Sequence, residues 1–174
     1  MMNKIKNPVL DTNLTLANAT ARVSAIQPPL SPQGLAFSFR RHRNRPWTFP
    51  LFIENKMINP LAAALISFLI DGGRTILFAG TRSSGKTSLL SAAIVELMRS
   101  TRIITVEDTL ELPIRKYQEL NYDIQSMKVQ SVITQGESEL TATDGIRTSL
   151  RLGDSALIVG EVRSKEAVAL YEAM

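Results

Sequence analysis

With 174 residues and 44% hydrophobic side chains, the chain is long enough for one full domain, or one domain and part of another, around a buried core. The absence of cysteine excludes disulfides, thiolate metal sites and cysteine nucleophiles, and a single histidine, His42, argues against zinc hydrolase chemistry and histidine-based triads. The net charge is +4, but Arg40, Arg41, Arg43 and Arg45 fall within six consecutive residues, so the basic excess reads as one site and no nucleic-acid partner is expected.

Residues 1–19 are polar with little periodicity, carry no secretory signal, and are expected to be loosely ordered or to be the edge of an upstream domain. Residues 20–27 (TARVSAIQ) and 35–41 (LAFSFRR) alternate like half-buried strands, separated by Pro28-Pro29 and the turn residues that follow. Two strands are too few to stand alone, so residues 1–45 read as the end of a small α+β N-terminal domain. Phe37, Phe39 and Trp47 are expected as core side chains rather than base-stacking groups. A Pro-punctuated stretch, residues 46–58, reads as a linker. Residues 59–174 then read as a second unit. Asn59 and Pro60 are natural first residues of a helix, residues 61–70 are its apolar body, and Asp71-Gly72-Gly73 stops it. Its apolar run is half of what a bilayer crossing needs, so any membrane association is expected through a partner.

Residues 76–79 are four apolar side chains, read as a strand buried on both faces, and they run into residues 80–87, which fit G-x-x-x-x-G-K-[ST]. Gly80 and Gly85 permit backbone angles that turn successive N–H groups inward around phosphate oxygens. Thr81, Arg82, Ser83 and Ser84 form the loop between them, and Ser88 follows in the first helical turn. Lys86 supplies a mobile positive charge for the β- and γ-phosphates, and the Thr87 hydroxyl can ligate Mg²⁺. The next helix points its positive N-terminus at the same anion. Glycine-rich turns match this pattern by chance; here the apolar run before it and the stripe of Leu89, Leu90, Ala93 and Leu97 after it supply the context a P-loop requires. The reading is a nucleotide-binding loop for phosphate and Mg²⁺.

Further along, residues 102–107 (RIITVE) are a second buried strand, residues 121–127 a weaker third, and residues 130–140 a polar loop. Residues 143–152 read as a helix, 156–159 as a short apolar strand, and 164–174 as a helix. This alternation around a P-loop predicts an α/β fold with a mostly parallel sheet and helices on its faces. Glu107, Asp108 and Glu111 follow one apolar strand, and Glu161 follows another after Gly160. In open parallel sheets ligands bind beyond that end of the strands, so these acids can hold Mg²⁺ or orient an attacking water. A solvated acidic turn is the plainer reading of each. Arg147 and Arg151, four apart on a helix, share a face; they suit either a charge-stabilising role at phosphate or an exposed basic surface.

Residues 80–90 (GTRSSGKTSLL), 103–113 (IITVEDTLELP) and 150–167 (LRLGDSALIVGEVRSKEA) together resemble the Walker A, Asp box and Walker B segments of the type II/type IV secretion ATPase superfamily. Residues 22–43 are most similar to its archaeal secretion and archaellum branch. The resemblance implies a RecA-like ATPase domain in a hexameric ring, with a smaller N-terminal domain, nucleotide between the two, and a polytopic membrane platform protein as partner in secretion or type IV pilus-like assembly. It gives Lys86 and Thr87 the phosphate and Mg²⁺, Glu107 the attacking water, and Glu161 the Walker B role with the metal. It brings Arg40 and Arg41 to the nucleotide from the N-terminal domain. The family's His box lies downstream of Walker B, and residue 174 precedes it, so the expectation is a fragment of the cytoplasmic motor with impaired turnover. A non-catalytic nucleotide-binding module, a P-loop small-molecule kinase and a nucleic-acid translocase are the alternatives.

Overall fold

Alternation along the first 41 residues produces three strands rather than two: β1 (Val9–Leu16), β2 (Ala19–Ile26) and β3 (Ala36–Arg41), antiparallel in that order. The structure is a computed structural model and describes residues 8–16, 19–43, 45–129, 141–162 and 166–172. The added strand, β1, falls in the stretch expected to be loosely ordered. Its polar and apolar residues alternate once asparagine and threonine are counted as strand residues. The loop reading of residues 130–140 lies outside the described residues.

Register decides what each face of this sheet carries. Asn13 pairs with Arg22 and Arg22 with Arg40, while Asp11 pairs with Ser24 and Ser24 with Ser38. Directly paired residues share a face, so this one is polar. The opposite face carries Leu10, Ala25 and Phe37, then Thr12, Val23 and Phe39, then Leu14, Ala21 and Arg41. Phe37 and Phe39 meet edge to face, yet they are 63% and 58% exposed, which corrects their expected place in the core. The sheet turns its polar side to the rest of the chain: the Asn13 side-chain amide donates to the carbonyl of Leu110.

The stretch expected as a linker contains a helix, α1 (Phe49–Glu54), capped by the Thr48 hydroxyl. Phe49 and Phe52 are buried against Ala63 of α2 (Pro60–Asp71) and Ala92 and Ala93 of α3 (Lys86–Glu96). Helix α2 begins as its sequence dictates, with the Asn59 side chain accepting from the amide of Ala62 at 2.7 Å and Pro60 in the first turn. It ends in a Schellman motif: Gly73 adopts φ +63° and donates to Ile70, and Arg74 donates to Leu69.

The second sheet is parallel, with β4 (Ile103–Glu107) between β5 (Ile124–Lys128) and β6 (Ala156–Val159). All five residues of β4 are buried, as expected of the central strand of a parallel sheet covered on both faces. Ile94, Ile103, Leu112, Tyr117, Tyr122 and Ile124 pack together on one side, joined by the short helix α4 (Ile114–Glu119), which was not foreseen. Tyr117 is fully buried; its hydroxyl donates to the carbonyl of Ser91 and shares a 2.7 Å hydrogen bond with the Ser91 hydroxyl. Helix α5 (Ala142–Ser149) is opened by a reciprocal Thr141–Asp144 capping box, and α6 (Glu166–Glu172) packs against it. Among the described residues, no helix is long and apolar enough to cross a membrane.

One expected strand is not formed. Residues 74–80 belong to neither sheet, and Leu77 is 78% exposed. The run is apolar enough for a buried strand, but it has no ladder among the described residues.

Helix α5 meets the sheet through Gly145. A β-carbon there would lie 2.7 Å from Val129 Cγ1 and 3.1 Å from Val106 Cγ1. Both neighbours are stiff, β-branched and buried. Gly145→Ala is therefore expected to destabilise the protein by about 1–3 kcal/mol through overpacking, outweighing the roughly 1 kcal/mol that alanine gains in a helix interior. A thermal melt showing a lower midpoint checks this; an unchanged or raised midpoint contradicts it.

Candidate nucleotide site

The loop between residues 80 and 86 has the geometry of an anion cradle. Gly85 sits at φ +88° as the N-cap of α3 and offers no side chain to the first helical turn, leaving those amides to point outward. Ser83 adopts φ +62°, a left-handed conformation uncommon for a residue with a β-carbon. A β-carbon on Gly80 would lie 2.7 Å from the Ser84 hydroxyl, so any larger residue there would force that side chain to turn away. The Lys86 ammonium bends back to donate to the carbonyl of Thr81 at 2.7 Å.

One cavity of about 1910 Å³ runs past this loop. Gly80, Arg82, Ser83, Gly85, Lys86, Thr87 and Ser88 line it, and so do Glu107, Glu161 and Arg40. The parallel register explains the convergence. Val106 pairs with Val159, and the Gly160 amide donates to the Val106 carbonyl at 2.9 Å, so Glu107 and Glu161 emerge at the same sheet edge. Thr81 and Ser84 complete the loop without lining the cavity. Arg41 lies on the opposite face of β3 from Arg40. Arg147 and Arg151 are exposed and away from the cavity, Arg147 pairing with Glu172 at 3.3 Å.

Glu107 is 3% exposed, and one of its oxygens has structural work. Oε1 accepts the backbone amides of Glu111 and Leu112 at 3.0 and 3.1 Å, clamping the turn that follows β4. Oε2 is buried without a hydrogen-bond partner. Burial pushes the Glu107 carboxyl up to about 7; the two amides pull it down, and the neighbouring charges of Glu111 and Asp108 push it further up. Gly160 makes room for it, since a β-carbon there would lie 3.0 Å from Glu107 Cγ.

Glu111, read from the sequence only as one of three nearby acids, faces the N-terminal sheet: Oε1 lies 3.4 Å from Arg40 Nη1 and 3.8 Å from Arg22 Nη1. Arg22 was not singled out in the sequence. Its guanidinium forms a two-point bond with Asp11, Nε to Oδ1 at 2.9 Å and Nη2 to Oδ2 at 2.6 Å. The available signal was the alternation that places Arg22 and Arg40 on one face.

The donor set suits a magnesium-bound nucleoside triphosphate. Open amides and Lys86 match phosphate charge, the Thr87 hydroxyl and the Glu161 carboxylate are hard oxygen ligands, and the unpartnered Glu107 Oε2 can accept a proton or a water hydrogen.

The raised Glu107 group makes stability pH-dependent. Between about 4.5 and about 7 the native state holds a proton that the unfolded chain has lost, so stability falls as pH rises through that window. The penalty is on the order of a few kcal/mol. Denaturant unfolding at pH 4.5 and pH 8 should show this slope in the unmodified protein and a flatter one in Glu107→Gln; equal slopes would contradict it.

The family model for type II/IV secretion system proteins matches residues 11–174. A Mycobacterium tuberculosis relative is 29% identical over 163 residues, which are 94% of this chain and 45% of its own. The conjugal transfer protein TrbB of Rhizobium radiobacter is 26% identical over 171 residues, 97% of this chain and 48% of its own. The type IV secretion system protein PtlH of Bordetella pertussis is 32% identical over 108 residues, 60% of this chain and 30% of its own. The chain thus spans about half or less of the length of these relatives. The crystal structure of the VirB11 ATPase from the Brucella suis type IV secretion system superposes with a TM-score of 0.54 at 21% identity, covering 95% of this chain and 52% of that one, and shares its α/β fold. With the family model spanning nearly its whole length, the chain belongs to the type II/IV secretion system protein family.

Proposed function

We propose that the chain binds ATP·Mg²⁺ at the residue 80–88 cradle and is the catalytic portion of a motor ATPase serving protein secretion, conjugation or type IV pilus-like assembly. The observation that carries this is the convergence of the cradle, Glu107 and Glu161 on one cavity. In this reading the amides of the loop and the first turn of α3 hold the β- and γ-phosphates, and Lys86 releases the Thr81 carbonyl to join them. Thr87 and Glu161 would hold Mg²⁺, which neutralises phosphate charge when bound. Glu107, with a carboxyl near neutrality and one unpartnered oxygen, orients the attacking water and takes its proton. Arg40 reaches the cavity from β3; Arg41, Arg147 and Arg151 are read as arginines offered to a neighbouring copy. The proposed assembly is a hexameric cytoplasmic ring working on a polytopic membrane platform protein, with membrane contact through that partner.

A second reading, a nucleotide-binding module without turnover, draws support from Glu107 Oε1, whose two amide bonds serve the loop rather than a substrate. Binding and turnover separate the two. Lys86→Ala should weaken ATP affinity by roughly 10- to 100-fold, the loss of a charge-assisted phosphate contact; unchanged affinity by calorimetry would sink the nucleotide site. Glu107→Gln should keep ATP binding and lose phosphate release. If the unmodified protein binds ATP and releases no phosphate, the second reading holds.

A further inference from the structure

Two arginines reach toward Glu111, but they are held very differently. Arg22 is fixed: its side chain is 18% exposed, and its two-point bond to Asp11 is backed by the Ser24 hydroxyl, which donates to Asp11 Oδ1 at 3.2 Å. Arg40 is 64% exposed and forms an ion pair with Glu111. Glu111 is only 16% exposed, and its backbone is anchored by the amide bond to Glu107 Oε1. Lys86, Arg40, Glu111 and Glu107 all line the same cavity.

We propose that Glu111 is a positioning residue that parks Arg40 at the mouth of the cavity and competes with the polyphosphate of a bound nucleotide for its guanidinium. The proposal rests on the nucleotide reading above and adds to it a resting partner for the arginine. Chemistry favours the exchange. A single carboxylate–guanidinium contact at 3.4 Å, with its guanidinium 64% exposed, is weakened by solvent, whereas a triphosphate offers several charged oxygens to a guanidinium fork. Arg22 stays with Asp11 throughout and supplies the fixed point of the polar sheet face, so only Arg40 swings. Because the Asn13 amide also bonds the Leu110 carbonyl, the Asp-box turn remains attached to the sheet while the arginine moves.

A double-mutant cycle tests this, using ATP affinity at one fixed low ionic strength for the unmodified protein, Glu111→Gln, Arg40→Gln and the double variant. Glutamine keeps the backbone amide of residue 111 and its bond to Glu107. Glu111→Gln is expected to tighten ATP binding by roughly two- to fivefold, the range released by breaking a solvent-weakened pair. Arg40→Gln should weaken binding, and the double variant should bind no tighter than Arg40→Gln alone. Inorganic tripolyphosphate should give the same ranking, since the competition is for charge. If the tightening survives in the Arg40→Gln background, simple removal of negative charge explains it and the proposal falls; unchanged or weaker binding by Glu111→Gln also overturns it. Failure of the unmodified protein to bind ATP would sink the nucleotide reading and this proposal together, whereas an Arg40-independent result sinks this proposal alone.

Discussion

The two amides held by Glu107 Oε1 are the contact on which the site is built. β4 is the middle strand of a parallel sheet, and its last residue is a carboxylate that the fold buries. Burying that charge is unfavourable, and the carboxyl rises toward neutrality as a result. The two amides offset part of the cost and in doing so fix the start of the turn carrying Leu110 and Glu111. That turn is the surface on which the N-terminal sheet rests. A strand terminus, a loop and a neighbouring sheet are thus linked through a single oxygen atom, and the other oxygen of the same carboxylate is buried without a hydrogen-bond partner.

Register does comparable work in the N-terminal sheet. Strand alternation places Arg22 and Arg40 on one face and Phe39 and Arg41 on the other, so neighbouring arginines in the sequence meet different surroundings. Shifting β3 by one residue would bring Phe39 and Arg41 to the cavity side and carry Arg40 away. The polar face is therefore specified by its pairing, and the Asp11–Arg22 bond across β1 and β2 reinforces that pairing from the side that meets the Asp-box turn.

Much of this was legible in the sequence, because it depends on local rules. The Asn59–Pro60 start and Gly72–Gly73 stop of α2, the apolar strands ending in Glu107 and before Glu161, and the glycines of the cradle each carry their own short-range reason. Local rules carry less where position depends on distant chain. Phe37 and Phe39 alternate like core residues, but no sequence rule says whether a sheet face will be covered. β1 was hidden by threonine and asparagine, which are poor hydrophobic markers though threonine suits a strand. Helix α1 was obscured by prolines that signal a connection yet serve equally at a helix start. The pairing of Glu111 with Arg40 spans 71 positions and has no local signature.

Residues 74–80 show how the site depends on contacts beyond its motif. They enter from a Schellman turn and leave into α3, whose Ala92, Ala93 and Ile94 are buried, so both ends of the run are anchored. Between those anchors no ladder holds the backbone among the described residues, and β6 is paired only on its β4 side. Both unladdered edges line the cavity that holds the cradle. A strand in a ladder would fix the approach of Gly80; an unpaired run leaves it to the helices and to the internal bond from Lys86 to the Thr81 carbonyl. That bond gives the ammonium an acceptor inside the loop. If the cradle takes a polyanion as proposed, Lys86 would exchange the Thr81 carbonyl for a charged phosphate oxygen, and the loop would exchange an internal bond for one to its ligand.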